Sequence, residues 1–186
     1  MTAGGTSTNV QTGPGRLWVA PIGTTEPTDA TSALPSAWTA IGYTDQGHTF
    51  ATDLTSEPIE VAEELDPIRY ENTRRISRVS FSMAEATKKR LAIALGSGAS
   101  TVDNATAYEP PAAGSEVGVM LIWDSEDSVL TDNVRWIYRQ AKPSGTIEIA
   151  HGKAPAKAVI PVTFNLEKPT GLTPVKVIPN SSGHIA

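Results

Sequence analysis

The chain contains no cysteine. That excludes a disulfide framework and any thiolate metal site, and it leaves the sequence indifferent to redox compartment. Long apolar runs are missing too; none approaches the roughly 18 residues that a membrane-crossing helix needs. The first fifteen residues, MTAGGTSTNVQTGPG, have neither a basic start nor an apolar stretch, so they do not read as a signal peptide. We expect a protein made and folded in a cytoplasm. Positive charge is in deficit: 15 Lys and Arg stand against 20 Asp and Glu, for a formal net charge of −5. A protein that wraps nucleic acid shows the opposite, a concentrated basic face. The three histidines, His48, His151 and His184, each stand alone in a loop or tail, with no second histidine at ligand spacing. No nucleophile elbow, Walker loop, dinucleotide fingerprint or H-E-x-x-H occurs. The small segment GSGAS at 96–100 follows a helical pattern rather than opening one, so its amides point the wrong way for a phosphate. The expectation is no catalytic residue, no cofactor and no metal.

What is present is organised around Arg74 to Gly96, RRISRVSFSMAEATKKRLAIALG. Val79, Phe81 and Met83 alternate with Arg78, Ser80 and Ser82, the period of a half-buried strand. The period then lengthens: Ala84, Thr87, Leu91 and Leu95 form one apolar stripe over about three helical turns. Ser82 and Glu85 read as a capping box, and Gly96 as a stop. The spacing predicts a helix over about 83–95, with Lys88, Lys89 and Arg90 on its solvated face.

The rest of the chain reads as short strands separated by Gly- and Pro-rich turns. Residues 1–15 form a flexible arm by composition. Strands are expected at Arg16–Ala20, Trp38–Tyr43, Val117–Asp124, Asn133–Ala141, Thr146–Ala150, Ala158–Glu167 and Thr173–Ile178, before a polar tail at 179–186. VGVMLIWD is apolar on both faces, as in a buried central strand. NVRWIYRQA puts Val134, Trp136 and Tyr138 on one face and Arg135, Ile137 and Arg139 on the other. KPSG at 142–145 fits a type I turn. Pro161 removes a ladder donor, so its strand belongs at a sheet edge or starts late. Trp123 and Trp136 are core candidates; Trp18 and Trp38, beside loops, are candidates to cover an interface. These features predict one mainly β domain over 16–178, a β-sandwich or partly open barrel with one flanking helix.

Residues 44–72 are the unusual stretch, expected as a long loop in which turns interrupt the short strand candidates HTFAT and PIEVAEEL. Asp45, Asp53, Glu57, Glu60, Glu63, Glu64 and Asp66 come before any Lys or Arg, and then Arg69, Arg74, Arg75 and Arg78 follow. The acids lack the residue order of a calcium loop. Two readings stand: a hydrated acidic hairpin, or an extended arm whose charge meets a partner on another subunit.

The order of features resembles a known family. GRLWVAPIGTTEP, WTAIGYTDQG, the acidic segment, the Arg-rich strand running into MAEATKKRLAIALG, and VIPVTFNLEK look like the major tail protein of long-tailed, non-contractile phages, particularly those of actinobacteria. The resemblance spans about Gly15 to Ile178. It implies a non-enzymatic virion protein whose fold is shared with the tube of type VI secretion. It implies rings of six stacked into a tail tube, assembled in the host cytoplasm, through which genomic DNA passes during ejection without sequence-specific binding. The implied partners are other copies of the chain, a tape-measure protein in the lumen, and tail terminator and distal tail proteins, with no membrane. Candidate contacts between rings are the acids Glu57, Glu60, Glu63, Glu64 and Asp66 on one side, and Arg74, Arg75, Arg78, Lys88, Lys89 and Arg90 on the other. The alternative from the residues alone is a binding module, a capsid-decoration or adhesin-like β-sandwich.

Overall fold

The computed structural model describes residues 14–99, 107–125, 133–149, 151 and 157–179. Most of the expected N-terminal arm, most of the polar tail and His184 lie outside the described residues. The strands are β1 (Gly15–Pro21), β2 (Thr39–Ala40), β3 (Thr44–Ile59), β4 (Arg69–Met83), β5 (Val119–Ser125), β6 (Val134–Ser144), β7 (Ile160–Leu166) and β8 (Val175–Ile178); the helix, α1, is Lys88–Ala94. They form one antiparallel sheet in the order β2-β1-β5-β6-β7-β4-β3, with β8 paired to β6. The sheet curls until β3 lies over β6: the Phe50 ring sits 5.5 Å from Trp136 and 5.9 Å from Tyr138. The curl makes the sheet a partly open barrel around a single main core.

Alternation explains which residues face that core. On β1 and β5, Leu17, Val19, Val119 and Leu121 point into it, joined by Val79, Phe81 and Met83 of β4 and by Ile160, Val162 and Phe164 of β7. Fully burying side chains of this size stabilises by about 1.5–3 kcal/mol each. The opposite face of β1, β5 and β6 carries a second cluster of Ala20, Met120, Ile122 and Ile137. A strap, residues 22–38, covers it, with Trp38 buried there and Leu34 packed alongside. The expectation for β6 holds, with Tyr138 in the main core and Ile137 in the second. A register shift between Val119 and Leu121 marks a bulge on β6, after which Ala141 faces the main core.

Several sequence expectations are corrected. The helix starts at Lys88, not near Met83. Ser82 does not cap it, because Ser82 and Met83 stay in the ladder opposite Pro161 and Ile160. Glu85 instead accepts from the Tyr43 N–H at 3.2 Å and pairs with Arg90 at 3.6 Å. The cap is Thr87, whose hydroxyl accepts from the Arg90 N–H at 3.4 Å. The end is as expected: Ser97 N–H donates to Ala92 and Gly96 N–H to Ile93, with Gly96 at φ +81°, a Schellman closure. The buried helical residues are Ala92, Ile93 and Ala94; Leu91 is half-buried against the main core.

The KPSG turn does not form at 142–145. Lys142, Pro143 and Ser144 continue β6 and pair with β7. Residues 146–149 are not strand, although Ile147 and Ile149 still pack on the core. Pro161 lies in an interior strand rather than an edge one, between β4 and β6. It is tolerated because the β6 ladder reaches only Thr163, so at Pro161 β7 has a neighbour on the β4 side alone.

Candidate assembly surfaces

The acidic segment is not a long loop over its whole length. It forms the far half of a β3–β4 hairpin together with the loop at its tip, residues 60–68, which carries Glu60, Glu63, Glu64 and Asp66; from Ala51 to Pro58 and Arg69 to Arg75 every residue is exposed. The β4–β7 ladder begins only at Arg78, so beyond it the hairpin projects with no other strand beside it among the described residues. Register assigns its two faces. Thr52, Leu54, Ser56 and Pro58 continue the core-facing side of Phe50, opposite Ser77, Arg75, Asn72 and Tyr70. A register shift between Thr55 and Ser56 leaves Thr73 as the extra residue on β4. Polar bonds lock this face: Thr52 to Ser77 at 3.1 Å and Ser56 to Asn72 at 2.6 Å. Its apolar members stand in water, Leu54 at 60 % and Tyr70 at 67 % exposure, with Leu65 and Ile68 exposed at the tip. A core face that runs on with nothing covering it is the mark of an interaction surface.

The other face is charged, and it neutralises part of itself at its base and near its tip. Arg78 pairs with Asp53, and Arg69 with Glu71 at 3.4 Å. Glu57, Glu60, Glu63, Glu64 and Asp66 are all exposed and carry no ion pair among the described residues. The same holds for Arg74 and Arg75, on opposite faces of β4. Lys88, Lys89 and Arg90 are half-buried rather than fully solvated. Burial lowers the Arg90 pKa, offset by Glu85, and its Nε has no hydrogen-bond partner among the described residues. The candidate acids and bases therefore do not meet within one chain, apart from the Arg78 and Arg90 pairs with acids outside the candidate set.

Two further surfaces were not legible from spacing. The first is a cleft of about 870 Å³ at the seam of the barrel, between the start of β1 and the start of β3. Gly15 makes room for it: a Cβ there would fall 2.0 Å from the Trp123 ring, so only glycine lets β1 lie on that indole. On the β3 side the ladder skips from Thr44 to His48, and Gly47 holds φ +71°. His48 stacks on Trp123 at 4.3 Å and shares a 2.8 Å hydrogen bond with the Tyr138 hydroxyl. Burial lowers the His48 pKa to about 4 and raises that of Tyr138, so both stay neutral.

The second is the strap. Arg135 donates to Asp124 from Nε at 2.5 Å and from Nη2 at 3.1 Å, and reaches the Asp29 carbonyl at 2.9 Å and the Ser32 carbonyl at 3.3 Å. Asp29 accepts from the backbone and hydroxyls of Ser32 and Thr31, which hold its carboxyl down at about 2. Arg139 grips Glu26 with two bonds, at 2.5 and 3.1 Å, and Lys176 approaches the same carboxylate at 3.4 Å. Arg139 and Lys176 together lower the Glu26 pKa. Among the described residues no group of three or more His, Asp or Glu is placed to hold a metal.

A projecting hairpin and a curled sheet with open edges describe a part that meets other proteins. The family model described as phage tail tube protein matches residues 2–181. The chain belongs to the phage tail tube protein family. Its role is therefore structural, in the tail of a phage virion. No curated protein matches the chain. The mainly β fold with one short helix agrees with membership, and no helix among the described residues is long and apolar enough to cross a membrane. For a tube-forming family the features that matter are edges and projections rather than pockets with catalytic groups.

Proposed function

We propose that this chain polymerises as stacked rings of six into the tail tube of a long-tailed, non-contractile phage, the conduit for genome ejection. The observation that carries the reading is the β3–β4 hairpin, which leaves the body with both faces exposed and a half-apolar, half-acidic surface. An isolated protein gains nothing from such an extension; a stacked one gains a contact that is donor on one side and acceptor on the other, which is the geometry of an open filament. The sheet supports the same reading. Among the described residues, β3 pairs only with β4, and β1 pairs with β2 only at Trp18 and Val19. Open edges of this kind are liabilities in a monomer and are removed when sheets join around a ring.

In the assembled tube the acids Glu57, Glu60, Glu63, Glu64 and Asp66 of one ring face Arg74, Arg75 and the α1 cations of the next. The tube encloses a tape-measure protein as it is built in the host cytoplasm, ends on terminator and distal proteins, and later passes double-stranded DNA. The net charge of −5 suits that passage, because a basic wall would hold the phosphates. Electron microscopy of the concentrated, negatively stained protein tests the proposal. Tubes of uniform bore with six-fold rings are expected; a chain that stays monomeric at every concentration and salt would overturn it.

A further inference from the structure

Outside the hairpin, the large apolar side chains exposed among the described residues are Ile22, Tyr43, Val117 and Leu172. Tyr43 is the most exposed of these, at 80 %, and the only aromatic one. Its backbone is held on both sides. The Tyr43 N–H donates to the Glu85 carboxylate at 3.2 Å, and the Tyr43 carbonyl accepts from the Ala84 N–H at 2.9 Å. Gly42, just before it, holds φ +88°, and a Cβ there would strike the Glu85 carboxylate. An aromatic ring carried into water on a fixed backbone loses little freedom on docking, which suits it to anchor an interface. Arg90 reaches the same Glu85, so the first turn of α1, with Lys88 and Lys89, stands at the same end of the molecule.

The uncovered apolar face of the hairpin offers the complement. Leu54 and Pro58, with Tyr70 opposite Pro58, lie roughly 13 Å apart along β3. Between them the small pair of Ser56 and Asn72 forms a saddle wide enough for one aromatic ring. That pair already bonds within itself at 2.6 Å, which lowers the cost of covering it. Arg75, opposite Leu54 on the same face, is placed to lie over such a ring.

Tyr43 and the saddle cannot meet within one chain, because eleven residues of β3, roughly 36 Å of strand, hold them apart. A second copy displaced along the strand brings one onto the other. The same contact then repeats without closing, as a filament needs. Charge agrees, since the displacement that seats Tyr43 carries the acids at the hairpin tip toward Lys88 and Lys89. Val117 fits an acidic hairpin less well, because it follows Glu116, and Ile22 already leans on Gly118.

We infer that Tyr43 of one copy docks in the saddle between Leu54 and Tyr70 on the hairpin of a second copy. This inference rests on the stacked-tube reading and names the apolar anchor inside it, with the charged groups as its rim.

The test uses the full-length chain, which has no cysteine of its own to interfere with placed ones. Tyr43→Ser, Leu54→Ser and Tyr70→Ser should each raise the concentration needed for tubes by about tenfold or more. Light scattering reads this, and the melting midpoint of the dilute chain should not move. Tyr43→Phe should assemble like the parent, because the ring rather than the hydroxyl makes the contact, and Leu172→Ser should do the same. Position is read by a short bis-maleimide cross-linker. Tyr43→Cys mixed with Leu54→Cys should give cross-linked heterodimers, whereas Leu172→Cys mixed with Leu54→Cys should not. A chain carrying both Tyr43→Cys and Leu54→Cys should give a ladder of products that runs past six copies. Parent-like assembly of the three serine variants, cross-linking no greater than in the Leu172→Cys mixture, or a ladder that stops at two or at six overturns the inference. If the parent forms tubes and these tests fail, the contact falls and the tube stands. If the parent forms no tubes, the tube falls, and cross-linking at the same concentrations still decides the contact.

Discussion

Replacing Arg135 with methionine should be among the most damaging single substitutions in the chain. Arg135 is 3 % exposed and Asp124 8 %, so the pair is nearly dry. The substitution leaves the Asp124 carboxylate without the guanidinium that holds it at 2.5 and 3.1 Å. It also removes the donors to the Asp29 and Ser32 carbonyls, which anchor the strap over Trp38 and Ile137. Breaking one side of a buried ion pair costs about 3–5 kcal/mol, much of it the penalty of the stranded charge. In a domain of this length each kcal/mol shifts the melting midpoint by about 2–4 °C, so a fall of about 6–20 °C is expected. Thermal and urea unfolding of the dilute chain measure it. The double variant Arg135→Met, Asp124→Leu separates the causes: with no charge left to strand, it should regain part of the loss but not the strap anchors. A single variant within about 2 °C of the parent, or a double variant no more stable than the single, would refute the reasoning.

Four other outcomes follow from the same geometry. Thr87→Ala should cost about 1 kcal/mol by removing the helix cap, whereas Ser82→Ala should leave the helical circular dichroism signal unchanged. His48 takes up a proton near 6.5 when unfolded but only near 4 when folded, so its contribution is fully present above pH 6.5 and is lost as pH falls toward 4. The loss is on the order of 3 kcal/mol, and His48→Gln should flatten that part of a urea-midpoint against pH curve. Gly15→Ala should cost about 1–3 kcal/mol, because its methyl meets the Trp123 ring; intrinsic tryptophan fluorescence should shift with it. Glu60, Glu63 and Glu64 changed together to Gln should slow stacking while leaving the melting midpoint unchanged, and wild-type assembly should slow as salt shortens the screening length below about 10 Å. Each exposed pair contributes only roughly 0–1 kcal/mol, so the effect rests on many copies acting together, and light scattering across a salt series reads it.

The sequence by itself determined the class of the fold and the faces of its clearest strands. Alternation in β4 and β7 and the doubly apolar β5 depend only on which side chains avoid water, and the structure places them as read. The end of α1 was equally local, because Gly96 supplies a conformation few other residues adopt. The start of the helix was not local. Ser82 and Glu85 spell a capping box, but the ladder from Met83 to Ile160 keeps the backbone extended and Tyr43 claims the carboxylate. The same competition carried β6 through KPSG, since β7 offered hydrogen bonds that a turn would forgo. The hairpin was half legible: its charges were visible, but not its continuity or its exposed apolar face. A strand of mixed polarity shows no period until its partner fixes the register, and Leu54 and Tyr70 share a face only through the pairing of β3 with β4. The cleft and the strap were beyond any sequence pattern. Gly15 and Trp123, or Arg135 and Asp29, meet only because the sheet curls and a loop folds across it, and contacts between residues a hundred positions apart leave no local signature.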